Sequence, residues 1–284
     1  MNGTHHRVVA GVAPADYRLP MILWAAAEAA ARDAELYLVT AVPPYAPPEQ
    51  YLPAERADTL RDAGHAHLAE AAGKARAAHP GLFVMTDVMA GAPVDVLRRA
   101  GVQADLVVVG ADDQSPFAEA ITGSVPGSLL TTSACPLVVV PQGELPAGPD
   151  APVIAALDEA GTAQAAIGYA FAAAARSGRP LVVLRCLPAE QGKRGAQAEQ
   201  ALTLNAFRVL YPDVDITEDV AIGDPKDVLA RRSRRAAVLV LGSRGHGRLT
   251  STLFGSVGRD LIRRSGCPVV VARPAAGDLT RGAM

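Results

Sequence analysis

Four blocks of this chain occur twice, and each recurs at the same distance. Gly91-Ala-Pro-Val-Asp-Val-Leu97 matches Gly223-Asp-Pro-Lys-Asp-Val-Leu229, and Ala104-Asp-Leu-Val-Val-Val-Gly110 matches Ala236-Ala-Val-Leu-Val-Leu-Gly242. Gly123-Ser124-Val125 matches Gly255-Ser256-Val257, and Cys135-Pro-Leu-Val-Val-Val140 matches Cys267-Pro-Val-Val-Val-Ala272. The offset is 132 residues in all four, which chance does not produce; the chain is a tandem duplication. At the start of each half the offset becomes 145, pairing Val8-Val-Ala-Gly-Val-Ala13 with Val153-Ile-Ala-Ala-Leu-Asp158. The first half therefore carries 13 extra residues, assigned to the proline-rich stretch Pro43–Pro53, which can continue neither a strand nor a helix. The boundary falls in Gln142–Pro152, a stretch of linker composition. Two domains are expected, over residues 1–142 and 150–275.

Within each half, short runs of branched apolar residues alternate with alanine-rich helical segments. The first half reads as strands at 7–12, 35–41, 82–88, 105–109 and 137–140, with helices at 19–32, 54–78, 93–101 and 124–132 between them; the second half repeats the order. Continuous apolar strands joined through helices imply a parallel sheet buried on both faces. The fold class is α/β: two tandem, open-twisted, five-stranded parallel-sheet domains. Ligands on such sheets bind beyond the strand C-termini, where the strand order reverses.

One stretch stands where that rule places a ligand. The apolar run Val238–Leu241 ends at Gly242, a loop holds Gly245 and Gly247, and Gly255-Ser256 leads into an amphipathic segment with Val257, Leu261 and Ile262 on one face. A strand end, a glycine loop and a helix N-terminus form an anion site of free N–H groups. The chain has neither the G-x4-G-K-[ST] loop nor the G-x-G-x-x-G fingerprint. Its spacing, Gly242-x2-Gly245-x9-Gly255-Ser256, resembles the nucleotide motif of the universal stress protein family.

That resemblance covers nearly the whole chain and carries definite implications. The fold would be Rossmann-like and HUP-type, with the first and fourth strands adjacent and the two halves paired through their last strands about a pseudo-twofold axis. ATP would bind in the second half, with Gly242, Gly245, Gly255 and Ser256 on the phosphates and the Val257 N–H adding to the helix start. Asp158 matches the aspartate that accepts from the adenosine, and Cys186 the backbone contact to adenine. From the residues alone, Asp158 has a second reading as a cap on the helix after it, and the Cys186 thiol reads as a small buried hydrophobe. Because the cradle is backbone, AMP and ADP stand beside ATP as alternatives, with or without Mg. The family also implies a stress-response role exerted by ligand-dependent binding, with a protein partner of unknown identity; a homodimer is expected because closed symmetric assembly is the common outcome. Slow ATP hydrolysis or autophosphorylation on Ser256 or Thr250, and a nucleotide-free scaffold, are the competing readings.

The first half departs from the motif. Ala13 replaces the adenosine aspartate, Asp113 the second glycine, and Pro126 stands where the second half has Gly258. A carboxylate beside a phosphate repels it, by about 1 kcal/mol per close pair even in water, and proline removes an N–H from the helix start. The first half is expected to bind nucleotide poorly or not at all.

Other functions find no support in the residues. A net charge of −2 argues against a general nucleic-acid binder. Arginines do cluster at 231–232, 234–235 and 263–264, where the plain reading is exposed helix C-termini. Cys135, Cys186 and Cys267 sit in or beside apolar runs without metal or redox spacing, as expected of buried reduced thiols in a cytoplasmic protein. No apolar run reaches the roughly 18–20 residues of a membrane span. No catalytic constellation appears: there is neither an H-E-x-x-H pattern nor a G-x-S-x-G elbow, and His65-x-His67 does not share a helix face.

Overall fold

Each half folds its own five-stranded sheet, and the strand order is the same in both. The computed structural model describes residues 6–13, 19–42, 54–111, 125–146, 148, 150–157, 164–187, 193–242 and 256–273. The chain divides into two units, Met1–Gln142 and Gly143–Met284. In the first, β1 (Arg7–Gly11), β2 (Glu35–Val42), β3 (Val84–Ala90), β4 (Leu106–Gly110) and β5 (Leu137–Val140) lie in the order β3-β2-β1-β4-β5. Between them run α1 (Leu19–Ala31), α2 (Ala54–Ala78), α3 (Pro93–Gly101) and α4 (Val125–Thr132). In the second, β6 (Val153–Leu157), β7 (Leu181–Leu187), β8 (Ile216–Ile222), β9 (Val238–Gly242) and β10 (Val269–Ala272) repeat that order as β8-β7-β6-β9-β10. Their helices are α5 (Gln164–Ser177), α6 (Lys193–Leu210), α7 (Pro225–Ser233) and α8 (Ser256–Arg264). Every strand pair within the two units is parallel.

The order dictates the layering. The chain steps outward from the first strand through the second to the third, then crosses back to the fourth and fifth, so the direction reverses once. Accordingly α1 packs on α2 and α3 on α4; in the second unit α5 meets α6 and α7 meets α8. Both faces of each sheet are thus covered, and β5, β6 and β10 are buried along their whole length. In the second unit Phe171 of α5 stacks on Phe207 of α6, with ring centroids 5.4 Å apart. Gly168 makes room for that ring, since a Cβ there would lie 3.3 Å from it.

The repeated blocks now have physical reasons. Gly91 and Gly223 take φ values of 144° and 138°, which side chains rarely adopt, and each opens the helix after the third strand of its unit. Their N–H groups donate to Val42 and Leu187, closing the turn against the neighbouring strand. The Cys-Pro blocks belong to a serine turn: Ser133 Oγ donates to the Cys135 carbonyl at 2.8 Å and Ser265 Oγ to that of Cys267 at 2.7 Å. All three cysteines are free and buried.

The third strand departs from its sequence-based bounds. It runs over Val84–Ala90 rather than 82–88. Leu82 N–H bonds back to the His79 carbonyl, so that residue finishes the turn after α2, while pairing with β2 carries the strand on to Ala90.

Candidate functional site

The central strands of each unit separate at their C-terminal ends. Pairing of β6 with β9 covers Val153↔Val238, Ile154↔Leu239 and Ala155↔Val240 and stops there. Yet β6 continues to Leu157, held by Arg185 of β7, and β9 continues to Gly242, held by Ala272 of β10. The last two residues of each strand are therefore bound on their outer sides only. Between them lies a crevice at the point where strand order reverses, the position at which open α/β sheets receive ligands. The first unit opens in the same way: β1 and β4 pair from Val8↔Leu106 to Ala10↔Val108, while Gly11 stays with Val39 and Gly110 with Val140.

Of the seven candidate residues, Cys186, Gly242, Ser256 and Val257 lie among the described residues. Gly242 is the last residue of β9. Ser256 is the first residue of α8, and Val257, the second, is half-buried. Leu157, which immediately precedes Asp158 in the sequence, ends β6 on the other side. Asp158, Gly245 and Gly255 lie outside the described residues. Cys186 stands one strand further out, pairing with Ala221 of β8, so β6 separates it from Gly242 by two strand spacings, about 10 Å. Burial, and then the nearby Asp219 carboxylate, pushes the Cys186 thiol up to about 11. It is 5% exposed and protonated at neutral pH, as befits a hydrophobe.

Helix α8 is secured from its far end. Leu261 is fully buried, Gly266 N–H donates to Ser233 Oγ at 2.9 Å, and a Cβ on Gly266 would lie 3.0 Å from Arg234 Cα. Arg264 donates to Asp260 on its own helix and to Asp227 on α7, each at 2.8 Å. These contacts fix the axis of the helix, whose N-terminus carries the positive end of its dipole. Among the described residues, no group of three or more His, Cys, Asp or Glu could hold a metal.

Two features of this frame escaped the sequence reading. Arg264 resembles any exposed helix-end arginine until its partners are known. Arg185, 6% exposed in β7 beside Leu157, was signalled only as a charge inside the apolar run Leu181–Leu187. Its counterpart in the first unit is Thr40.

Two duplicated, doubly wound domains, each with its central strands parting at the switch point, define an open-sheet α/β fold. The universal stress protein family model matches residues 4–141 and again 151–273, and the chain belongs to that family. It is 29% identical over 291 residues to one universal stress protein of Mycobacterium tuberculosis, covering 94% of this chain and 97% of that one. A second from the same organism is 31% identical, over 94% of this chain and 96% of its own. A universal stress protein of Archaeoglobus fulgidus shares the fold with a TM-score of 0.75 at 19% identity, over 96% of this chain and 98% of that chain. No helix among the described residues is long and apolar enough to cross a membrane.

Proposed function

We propose that this protein binds ATP in its second unit and acts as a cytoplasmic stress-response regulator whose bound nucleotide alters what it associates with. The observation that carries this reading is the crevice between β6 and β9, flanked by Gly242 on one strand and by the residue preceding Asp158 on the other. The spacing Gly242-x2-Gly245-x9-Gly255-Ser256 supports it, because it spans that strand end and the start of α8. In this reading Asp158 accepts from the adenosine, Cys186 contributes backbone to the adenine, and Gly242, Gly245, Gly255, Ser256 and the Val257 N–H hold the phosphates, with or without Mg. In this reading the role is binding rather than turnover, and the sequence itself offers no catalytic constellation. A homodimer, and pairing of the two units through β5 and β10, complete the proposal.

Equilibrium dialysis of the full chain against labelled ATP with Mg tests it. Saturation at one nucleotide per chain supports the reading, and no retained nucleotide refutes it. Stoichiometric release of ADP over hours would move the protein to the hydrolytic alternative. Sedimentation velocity tests the homodimer.

A further inference from the structure

The two halves share a fold but not a charge. Residues 1–142 carry nine basic and fifteen acidic side chains, whereas residues 143–284 carry eighteen and fourteen. Much of the difference lies on one surface. The segments 224–235 and 256–266, which form α7, α8 and the turns after them, hold eight basic and three acidic side chains. Their counterparts at the 132-residue offset, 92–103 and 124–134, hold two and one.

The basic surface is exposed. Arg231, Arg232, Arg234, Arg235, Arg263 and Arg264 are all open to solvent. Arg232 pairs with Asp219, and Arg264 with Asp227 and Asp260. The other four have no ion pair among the described residues. They lie close together, because Gly266, two residues beyond α8, is packed against the backbone of Arg234 at the end of α7. Favourable placement at helix C-termini does not explain them. In the first unit α3 ends with Arg98 and Arg99 and α4 without any basic residue, yet both helices form and pack together. The corresponding positions there are Arg99, Ala100, Val102, Gln103, Thr131 and Thr132. The duplication is its own control: the fold does not require these charges.

We infer that the arginine-rich ends of α7 and α8 form a docking surface for a carboxylate-rich segment of a partner protein. Guanidinium groups match carboxylates in pairs of hydrogen bonds, and concentrated charge steers an oppositely charged partner. Two other polyanions fit less well. Neither α7 nor α8 has an aromatic side chain on which a base could stack, and the strongly acidic first half would repel a long nucleic acid. An anionic membrane would favour apolar side chains beside the charges, but the exposed large hydrophobics among the described residues all lie on other elements. The surface sits where β9 and β10 begin, opposite the Gly242 crevice, and nine-residue α8, about 13 Å long, joins the two. The inference stands whether or not nucleotide binds.

Fluorescence anisotropy on the full chain tests it, with three probes: a labelled octaglutamate peptide, a 20-nucleotide RNA and phosphatidylserine vesicles. At about 50 mM salt, where the Debye length is roughly 14 Å, the peptide is expected to saturate in the tens of micromolar. The Arg234→Glu/Arg235→Glu/Arg263→Glu variant should weaken it tenfold or more. The Arg98→Glu/Arg99→Glu variant should leave it within twofold, and both variants are first shown to keep the wild-type melting profile. A peptide that does not saturate, equal binding by the triple variant, or tighter binding of RNA or vesicles than of peptide overturns the inference.

Discussion

The Arg264 guanidinium donates to the Asp227 carboxylate at 2.8 Å, joining the last turn of one helix to the first turn of another that precedes it by 37 positions. The contact holds the Asp227 carboxyl below its ordinary range. Stabilisation from such a depressed carboxyl is present above its unfolded-state value and lost as pH falls through the folded one. Both side chains are open to solvent, so the effect is small. Asp227→Asn is expected to lower the melting temperature by no more than about 2 °C at pH 7, and the gap to wild type should close below about pH 4. A gap that persists into acid would assign the effect to something other than the ion pair.

The thiols give an opposite pH dependence. Burial pushes Cys267 up to about 12 and Cys186 up to about 11. Above about pH 9 the unfolded chain ionises these groups while the folded chain does not. Stability should therefore fall as pH rises from there toward the folded-state values, and Cys267→Ala should flatten that decline. At pH 8 Ellman's reagent should find no reactive thiol in the native protein and three per chain in guanidinium, since all three are buried. Rapid native labelling would contradict the packing described.

The two units solve one packing problem differently. The third-to-fourth-strand helix ends with Gly101 in the first unit and Ser233 in the second, and the turn after the last helix has Ala134 opposite Gly266. A Cβ on Gly101 would lie 2.9 Å from Val107 Cγ2, and one on Gly266 3.0 Å from Arg234 Cα. Gly101→Ala and Gly266→Ala should each destabilise by about 1–3 kcal/mol, read from urea unfolding. A neutral Gly266→Ala would mean that the Arg234 backbone can give way.

Gln200 offers the reverse. It is fully buried, its amide donates to the Val183 carbonyl at 2.8 Å, and its Oε1 has no partner among the described residues. The first unit has Leu68 at this place, 1% exposed. Gln200→Leu should be neutral or stabilising by about 1 kcal/mol, because removing a buried unsatisfied acceptor offsets the lost hydrogen bond. A clear loss of stability would show that the amide holds the strand in place.

Much of this was legible beforehand because a duplication is read by comparison rather than by propensity. Gly91 with Gly223 and Cys135 with Cys267 fixed the frame, and the alternation of strands and helices followed from it. The adjacency of β1 with β4 came from family resemblance, since periodicity along a chain says nothing about which strands pair. The glycine spacing indicated where Gly242 and Ser256 would lie, but the crevice itself depends on where pairing stops beyond Ala155, and no residue type marks that point. Arg264 was unreadable for another reason: an ion pair across 37 positions is a product of helix packing, and composition near a helix end only reports that a cation suits it.

The most direct test is calorimetric titration of ATP with Mg into the wild-type chain beside Asp158→Ala and Gly245→Asp, the latter copying Asp113 of the first half. One site per wild-type chain, lost in both variants, is the predicted result. Two sites per chain would contradict it by showing that Ala13 and Asp113 do not disable the first unit, and the absence of any binding would contradict nucleotide binding itself.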